Sequence, residues 1–425
     1  MRRIISAVLA LLVMMSLCAC AFAEPPEITY KDNLTAVIAS DLHYISPEIN
    51  DNGEYFTKMM AEADGKVSIY CDELTDAFLS EVIEQKPDFL ILTGDLSFNG
   101  ELPSHMRLAE KLAVVEQHGI QVLVTTGNHD IEYYTAASFS GGGYTLLDPT
   151  GQAEFREIYA EFGYDEAEAA DTDSLSYLYR AGENTWFIVL DTNTPGRECL
   201  VSDETLNWVE KQLAYVRAEG GTVIGIGHQN LMRHSMFSSG YVIDGADRLL
   251  DLYEKYGVEL CFSGHLHIQH IMTGGNVTEI TSSSLCVTPC QYGVLTLGDG
   301  KASYKTKPVD VSAWAEENGS TDANLLHFSD FAADYMDTIT ATDCEQTLAE
   351  ADLTQVEKAA MTAYACEVNR MYFAGDLTGL EPLDPTGRLR ELWTGTDAFF
   401  AVYLDSITED AGNDYRIFSI KGRTE

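Results

Sequence analysis

Residues 122–130 read Val122-Leu123-Val124-Thr125-Thr126-Gly127-Asn128-His129-Asp130 (VLVTTGNHD). The apolar, β-branched start predicts a buried strand. Its end is different: a glycine, then an amide, an imidazole and a carboxylate in direct succession. An apolar strand gains nothing from such an ending unless those groups do chemistry.

Other strands end in a similar way. Six short apolar runs bounded by turn residues predict strands: Leu34 to Ala39, Phe89 to Leu92, Val122 to Val124, Trp186 to Leu190, Val223 to Ile226 and Val258 to Phe262. Helical spacings fall between several of them, at Leu74, Phe78 and Val82, at Leu108, Leu112 and Val115, and at Leu206, Val209 and Leu213. Strand–helix alternation predicts βαβ units and parallel pairing, with ligand groups gathered at the carboxyl ends of the strands. The first strand is followed by Ser40-Asp41-Leu42-His43, and the second by Thr93-Gly94-Asp95. After the fifth comes Gly227-His228, and after the sixth Ser263-Gly264-His265-Leu266-His267. Each motif alone is weak, since a Gly-Asp after a strand is usually a turn. The whole series, gathered at one end of one sheet, predicts a site.

Oxygen donors mixed with imidazoles suit Mn²⁺, Fe²⁺ or Zn²⁺ rather than an all-oxygen calcium cage. Asp41, Asp95 and Asn128 with His43, His228, His265 and His267 are too many donors for one ion. Seven ligands fit two ions that share a bridging carboxylate. His129 is left over, because adjacent side chains of an extended segment point apart. It is thereby free for acid–base work, which suits imidazole. Asp130 either orients an imidazole or caps the next turn. His105 and His234 lie near ligand-strand loops and stay open between a supporting role and none. Nothing requires His118, His270 or His327, and Asp191 reads as a turn residue.

The order Asp-x-His, Gly-Asp, Gly-Asn-His-Asp, Gly-His, Gly-His-x-His, from Asp41 to His267, resembles the calcineurin-like metallophosphoesterase superfamily. The resemblance implies an α/β fold, a four-layer α-β-β-α sandwich. It assigns Asp41, His43 and His267 to one ion, Asn128, His228 and His265 to a second, and Asp95 to both. It also implies hydrolysis by in-line attack of a hydroxide shared by the two ions, with His129 expected to contact the phosphoryl group and help protonate the leaving oxygen. The run Gly94 to Glu101 and the stretch Trp314 to Asn324 further resemble secreted Gram-positive class III cyclic-nucleotide phosphodiesterase-like proteins with a smaller all-helical C-terminal domain. Phe98 stands where purple acid phosphatases carry a tyrosine, which disfavours a tyrosinate–iron(III) centre. Asp130 and a helical C-terminal region separate the chain from secreted 5′-nucleotidases.

The expected activity is therefore hydrolysis of small phosphodiesters, cyclic nucleotides first. A broad phosphomonoesterase or nucleotidase using the same site is the alternative, and a non-catalytic scaffold is disfavoured because no ligand is missing.

The 425 residues carry 67 acidic and 26 basic side chains, a formal charge of −41, with 45% apolar residues. That surface repels polymeric nucleic acid and anionic membranes, so a small phosphate ester is the expected partner and local cations must offset the field. Arg2-Arg3, an apolar run to Leu17 and Ala21-Phe22-Ala23 predict a secretory signal over 1–23. Acylation at Cys20 in Leu17-Cys18-Ala19-Cys20 is the alternative, anchoring the chain to a bacterial surface. No other stretch is apolar enough to span a bilayer. Seven cysteines then remain, without a CxxC pattern. A catalytic domain is expected over 24–308, its runs after His267 forming a more antiparallel sheet region. A helical domain is expected over 309–425, with Thr354 and Glu357 as a capping box and Val356, Ala360, Ala363 and Glu367 down one side of a helix.

Overall fold

The computed structural model describes residues 30–422 except 64 and 194–197. The expected signal segment and Cys20 lie outside the described residues. Strands β1 (Leu34–Ala39), β2 (Phe89–Leu92) and β3 (Gln121–Val124) are joined through helices Cys71–Gln85 and Leu102–Gln117. A hairpin, β4 (Ala137–Ser140) and β5 (Gly143–Leu146), follows. Next come β6 (Ala169–Ala170), β7 (Tyr177–Arg180), β8 (Thr185–Val189), β9 (Thr222–Ile226), β10 (Leu260–Ser263), β11 (His270–Gly274) and β12 (Val277–Thr281). Then β13 (Gln291–Gly298) and β14 (Lys301–Pro308) complete the catalytic region, and β15 (Ile417–Lys421) ends the described chain.

Each strand's apolar run is buried on both faces, which is why the runs are continuous rather than alternating. The site strands form two sheets rather than one. The first has the order β15-β14-β13-β1-β2-β3 and the second β11-β12-β10-β9-β8-β7-β6. Apolar runs reveal strands but not which sheet each joins, because that depends on side-chain packing between layers. Val37, Leu90 and Val122 share one core with Phe187, Ile224, Phe262 and Ile280. Helices pack outside, among them Cys71–Gln85 through Leu74, Phe78 and Val82 and Asp203–Ala218 through Leu206, Val209 and Leu213. The result is the expected α-β-β-α layering. The runs after His267 do not form a separate sheet: β12 is parallel to β10, while β13 and β14 extend the first sheet antiparallel.

The long segments after β1 and β3 hold structure of their own, helix Glu54–Ala61 and the β4–β5 hairpin. Phe98 packs with Phe56 and Phe139 from these two segments.

From Val311 to Thr408 the chain is helical as expected, in Val311–Glu317, Ala323–Leu326, Phe328–Leu348, Gln355–Ala374, Arg388–Thr396 and Ala398–Thr408. The Thr354–Glu357 capping box is present. The buried face of Gln355–Ala374 is Met361, Tyr364, Ala365, Val368 and Tyr372, whereas Val356 is exposed. The all-helical reading fails at the end of the chain. β15 returns to pair antiparallel with β14, covering an edge that would otherwise expose unpaired backbone groups. The alternation Ile417-Phe418-Ser419-Ile420-Lys421 carried that signal.

The cysteines at 71, 199, 261, 286, 290, 344 and 366 are all buried, and none of them forms a disulfide among the described residues. Among the described residues no helix is long and apolar enough to cross a membrane.

The helical region is tied down beside the site. Tyr304 donates to Gln269 Oε1 at 3.2 Å, and Gln269 donates to the Phe373 and Tyr415 carbonyls at 3.2 and 3.0 Å. Gly293 makes room for the Tyr304 ring, which a Cβ there would overlap. Gly293→Val should therefore lower stability by about 1–3 kcal/mol through overpacking, measured by denaturant unfolding. Wild-type stability would show that the ring moves aside freely.

Candidate metal centre

The strand ends of both sheets meet at one place. Thr125 Oγ1 donates to the Leu190 carbonyl at 2.8 Å and Thr126 Oγ1 to Asp191 at 3.0 Å, linking the ends of β3 and β8. Asp191 also accepts from the Leu175 and Asn193 amides, so it is a buried cross-link as well as a turn residue. The Ser284 hydroxyl donates to the Asp41 carbonyl at 2.7 Å.

Within this frame the structure brings all seven expected donors together. His43 Nε2 lies 3.2 Å from His267 Nε2, 3.9 Å from Asp41 Oδ1 and 3.6 Å from Asp95 Oδ2. His228 Nε2 lies 3.4 Å from Asp95 Oδ1 and 3.2 Å from Asn128 Oδ1. Two donor groups result, Asp41–His43–Asp95–His267 and Asp95–His228–His265, with donor atoms in each within 4.8 Å of one another. Asp95 belongs to both through its two oxygens.

The donor set fits divalent cations. Asp41 Oδ1 and His43 Nδ1 are buried without a hydrogen-bond partner among the described residues, although buried polar atoms are normally paired. Two imidazole nitrogens facing each other need a cation or a shared proton between them. Backbone carbonyls fix other rings: His228 donates from Nδ1 to Thr93 at 2.8 Å and His265 from Nε2 to Gly240 at 2.8 Å. These bonds leave Nε2 of His228 and Nδ1 of His265 as the nitrogens available to a metal.

The local backbone is unusual. Asp41, His43, Asp95, His265 and His267 all have left-handed φ, between 43° and 70°, a conformation that strains non-glycine residues. Backbone bonds hold it in place, from the amides of Asp41, His43 and Tyr44 to the carbonyls of Gly94, Asp95 and Leu96 at 3.0–3.1 Å. Two glycines permit the loops to stack. A Cβ on Gly127 would overlap the Asp95 amide and carboxylate, and one on Gly264 would overlap the Ser40 hydroxyl.

Charge follows from this packing. Burial alone would raise the Asp41 carboxyl, but the His267 imidazole, 3.4 Å away, holds it below the usual range. Asp95 is held well below its usual value because the His228 and His129 imidazoles outweigh burial. Burial pushes His43 well down, with Lys66 adding to the effect, and pushes His265 down to about 4. His228 is the exception, raised to about 9 because the Asp95 charge overcomes burial. Ionised carboxylates among mostly neutral imidazoles are the protonation states metal binding needs.

His129 sits over the cluster, its ring edge-on to His43 at 4.9 Å and stacked on Tyr133 at 4.3 Å. Its Nδ1 faces two acceptors, Asn99 Oδ1 at 2.8 Å and the Phe98 carbonyl at 3.1 Å. Nδ1 therefore carries the proton, and Nε2 is the nitrogen these two acceptors do not engage. The Asp130 carboxylate touches no imidazole. It accepts from the Gly127 amide at 2.7 Å and from the Ser97 amide and hydroxyl at 2.9 and 3.0 Å. Of the two roles left open for it, these are the bonds of a turn brace. His105 supports the same turn, donating from Nε2 to the Asp130 carbonyl at 2.8 Å.

Sequence reasoning missed Asn99, which orients His129, and Glu279. The Glu279 carboxylate accepts from the Leu231 and Met232 amides, the Ser263 hydroxyl and His234 Nε2 at 2.7–2.9 Å, bracing the loops that follow β9 and β10. His234 continues to His270 at 3.0 Å, and His270 to Asp410 of the C-terminal region at 3.2 Å. The one available signal was an acid inside an otherwise apolar strand, Val277-Thr278-Glu279-Ile280. His118 turns back on its own helix, to the Val114 carbonyl.

Two packed mixed sheets with a histidine–carboxylate cluster at their common edge define a metallohydrolase of the phosphoesterase class. Residues 34–269 match the calcineurin-like phosphoesterase family, and the chain belongs to it. It is a metal-dependent phosphoric ester hydrolase, and the family implies a site for two divalent ions. Residues 310–414 match the C-terminal domain of cyclic nucleotide phosphodiesterase. A probable glycerophosphodiester phosphodiesterase from Arcobacter nitrofigilis is 24% identical over 56% of this chain and 78% of its own length. Among solved structures, a dimetal phosphatase from Danio rerio is 14% identical, covering 65% of this chain and 97% of its own, with a TM-score of 0.48. A purple acid phosphatase from yellow lupin is 16% identical, covering 66% and 52%, with a TM-score of 0.43.

Two outcomes test this geometry. Gly127→Ala should cut bound metal sharply and lower stability by about 1–3 kcal/mol; full metal content by elemental analysis would contradict the packing against Asp95. The second concerns Glu101, which accepts from the Asn99 amide at 2.9 Å. Burial raises its carboxyl to about 7, above the ordinary value of about 4.3. Its contribution to stability is complete at acid pH and is lost as pH rises through about 7. Glu101→Gln should therefore gain in melting temperature relative to wild type between about pH 5 and 8, and a constant difference would refute the shift.

Proposed function

We propose that the chain is a secreted phosphodiesterase for small diesters, with cyclic nucleotides as first substrates, working through two divalent cations. The observation that carries this reading is the Asp95 carboxylate, one oxygen turned to His43 and the other to His228. In this assignment Asp41, His43 and His267 hold one ion, Asn128, His228 and His265 hold the other, and Asp95 holds both. Manganese, iron and zinc all suit the donors. When bound, the pair supplies charge neutralisation on the phosphoryl oxygens and activates a water for in-line attack.

The protein's own groups complete the reaction. His129, fixed through Nδ1 by Asn99 and Phe98, presents Nε2 to the phosphoryl group and donates a proton to the leaving oxygen as the P–O bond breaks. Burial pushes the His129 imidazole below its usual pKa; the charge of the incoming anionic phosphate opposes that shift and favours the protonated form this step requires. Asp130 acts at one remove, keeping Gly127 and Ser97 in place.

The match of residues 310–414 to a cyclic nucleotide phosphodiesterase domain supports the substrate class, and the diesterase named as a relative supports diesters over monoesters. The basic and apolar start of the chain supports export, with acylation at Cys20 as the variant form. Fractionation of the bacterial culture tests it, and retention in the cytoplasm would overturn it.

Metal-reconstituted enzyme should hydrolyse cyclic nucleotides and bis-p-nitrophenyl phosphate faster than p-nitrophenyl phosphate. A strong monoester preference would replace this reading with a phosphomonoesterase. His129→Ala should keep its metal while turnover falls by about 10²-fold or more. Asn128→Ala should lose metal, and full occupancy in that variant would remove Asn128 from the ligand set.

A further inference from the structure

On the His265 side of the cluster the chain builds an aromatic wall that no step of the hydrolysis uses. The His265 bond to the Gly240 carbonyl at 2.8 Å holds the segment after β9 against the site. That segment supplies Tyr241, whose ring lies 5.1 Å from His265, and Phe237, 5.8 Å from Tyr241. A third ring comes from the helical region: Phe399 lies 6.3 Å from Phe237.

The exposure of Phe399 has a local cause. Asp397 caps helix Ala398–Thr408 by accepting from the Phe400 amide at 2.7 Å, and the helix buries Ala401, Leu404 and Ile407. Phe399 and Val402, three positions apart, therefore share the opposite face and keep 60% and 54% of their surface exposed. What sets this apolar surface apart is its continuity with the site, ring by ring, through Phe237 and Tyr241 to His265.

We propose that Phe399, Phe237 and Tyr241 form a stacking subsite for the nucleobase of a nucleotide diester, so that the helical region selects substrate. This rests on the phosphodiesterase reading and extends it beyond the metallophosphoesterase domain. The Tyr241 ring stands close enough to His265 to meet the organic group of a phosphate held at the cluster. With a formal charge of −41, the protein has little cationic surface with which to gather an anion. Stacking on π faces adds about 1–3 kcal/mol per base without any charge. A glycerol substituent has neither a π face to stack nor a cation to attract the rings, and gains little from the wall.

The test uses full-length wild type, Phe399→Ala and Phe399→Tyr reconstituted with Mn²⁺. KM and kcat are measured on 2′,3′-cyclic AMP and on glycerophosphoglycerol, and AMP binding by calorimetry. Phe399→Ala should bind AMP about tenfold more weakly and raise KM for the cyclic nucleotide by about the same factor. Its kcat, metal content and kinetics on glycerophosphoglycerol should stay at wild-type values, and Phe399→Tyr should restore AMP affinity. Equal AMP affinity in wild type and Phe399→Ala, no AMP binding by wild type, or an equal loss on both substrates would overturn the subsite. A wild-type enzyme that cleaves glycerophosphoglycerol but no cyclic nucleotide would overturn the substrate reading, and AMP binding would still decide the subsite.

Discussion

The Asp95 carboxylate is the interaction on which the rest of the structure depends. It is fully buried, its charge faces imidazoles from both sheets, and the His129 amide donates to it at 2.8 Å. A buried charge is tolerable only when paired and hydrogen-bonded, so everything around Asp95 must be placed to meet it. Gly127 has no side chain because Asp95 occupies that space. His228 is turned by the Thr93 carbonyl so that Nε2 points at it.

Five of the seven donors stand in left-handed backbone. At about 1–3 kcal/mol each, the local sequence would not adopt these turns unaided. Bonds between loops and the core shared by the two sheets hold them, so the site is a property of the sheets rather than of any one loop. The same logic explains Asp130 and Glu279, one left open by the sequence and the other passed over, which both act as braces in the folded chain. Each carboxylate satisfies amides of loops that carry donor residues.

The helical region is part of this machinery through position as well as covalent linkage. Ile268, next to His267, belongs to the hydrophobic cluster of the helices with Tyr364, Val368 and Trp393. The chain of buried Glu279, His234 and His270 and half-buried Asp410 runs from the loops of the site into that region. β15 then returns to the first sheet. A change in the packing of the helices therefore reaches His267 through one peptide bond, and the loops after β9 and β10 through one carboxylate.

The sequence by itself determined the six apolar strands it named, the order of the motifs and the seven candidate donors that the structure brings together. Apolar runs report burial, and a glycine beside a polar strand end reports close approach. These are local signals, readable at Gly127-Asn128-His129-Asp130 as they are at Gly264-His265-Leu266-His267. It left His105, His234 and Asp130 between alternatives and gave no reason to notice Asn99, because the partner of a polar group lies elsewhere in the chain. Only the tertiary structure decided that the strand ends belong to two sheets, that β15 closes an edge, and that Asp130 braces a turn. The physical reason is that strand pairing and hydrogen-bond satisfaction are settled between segments distant in sequence, and the local pattern of one segment does not encode its partner.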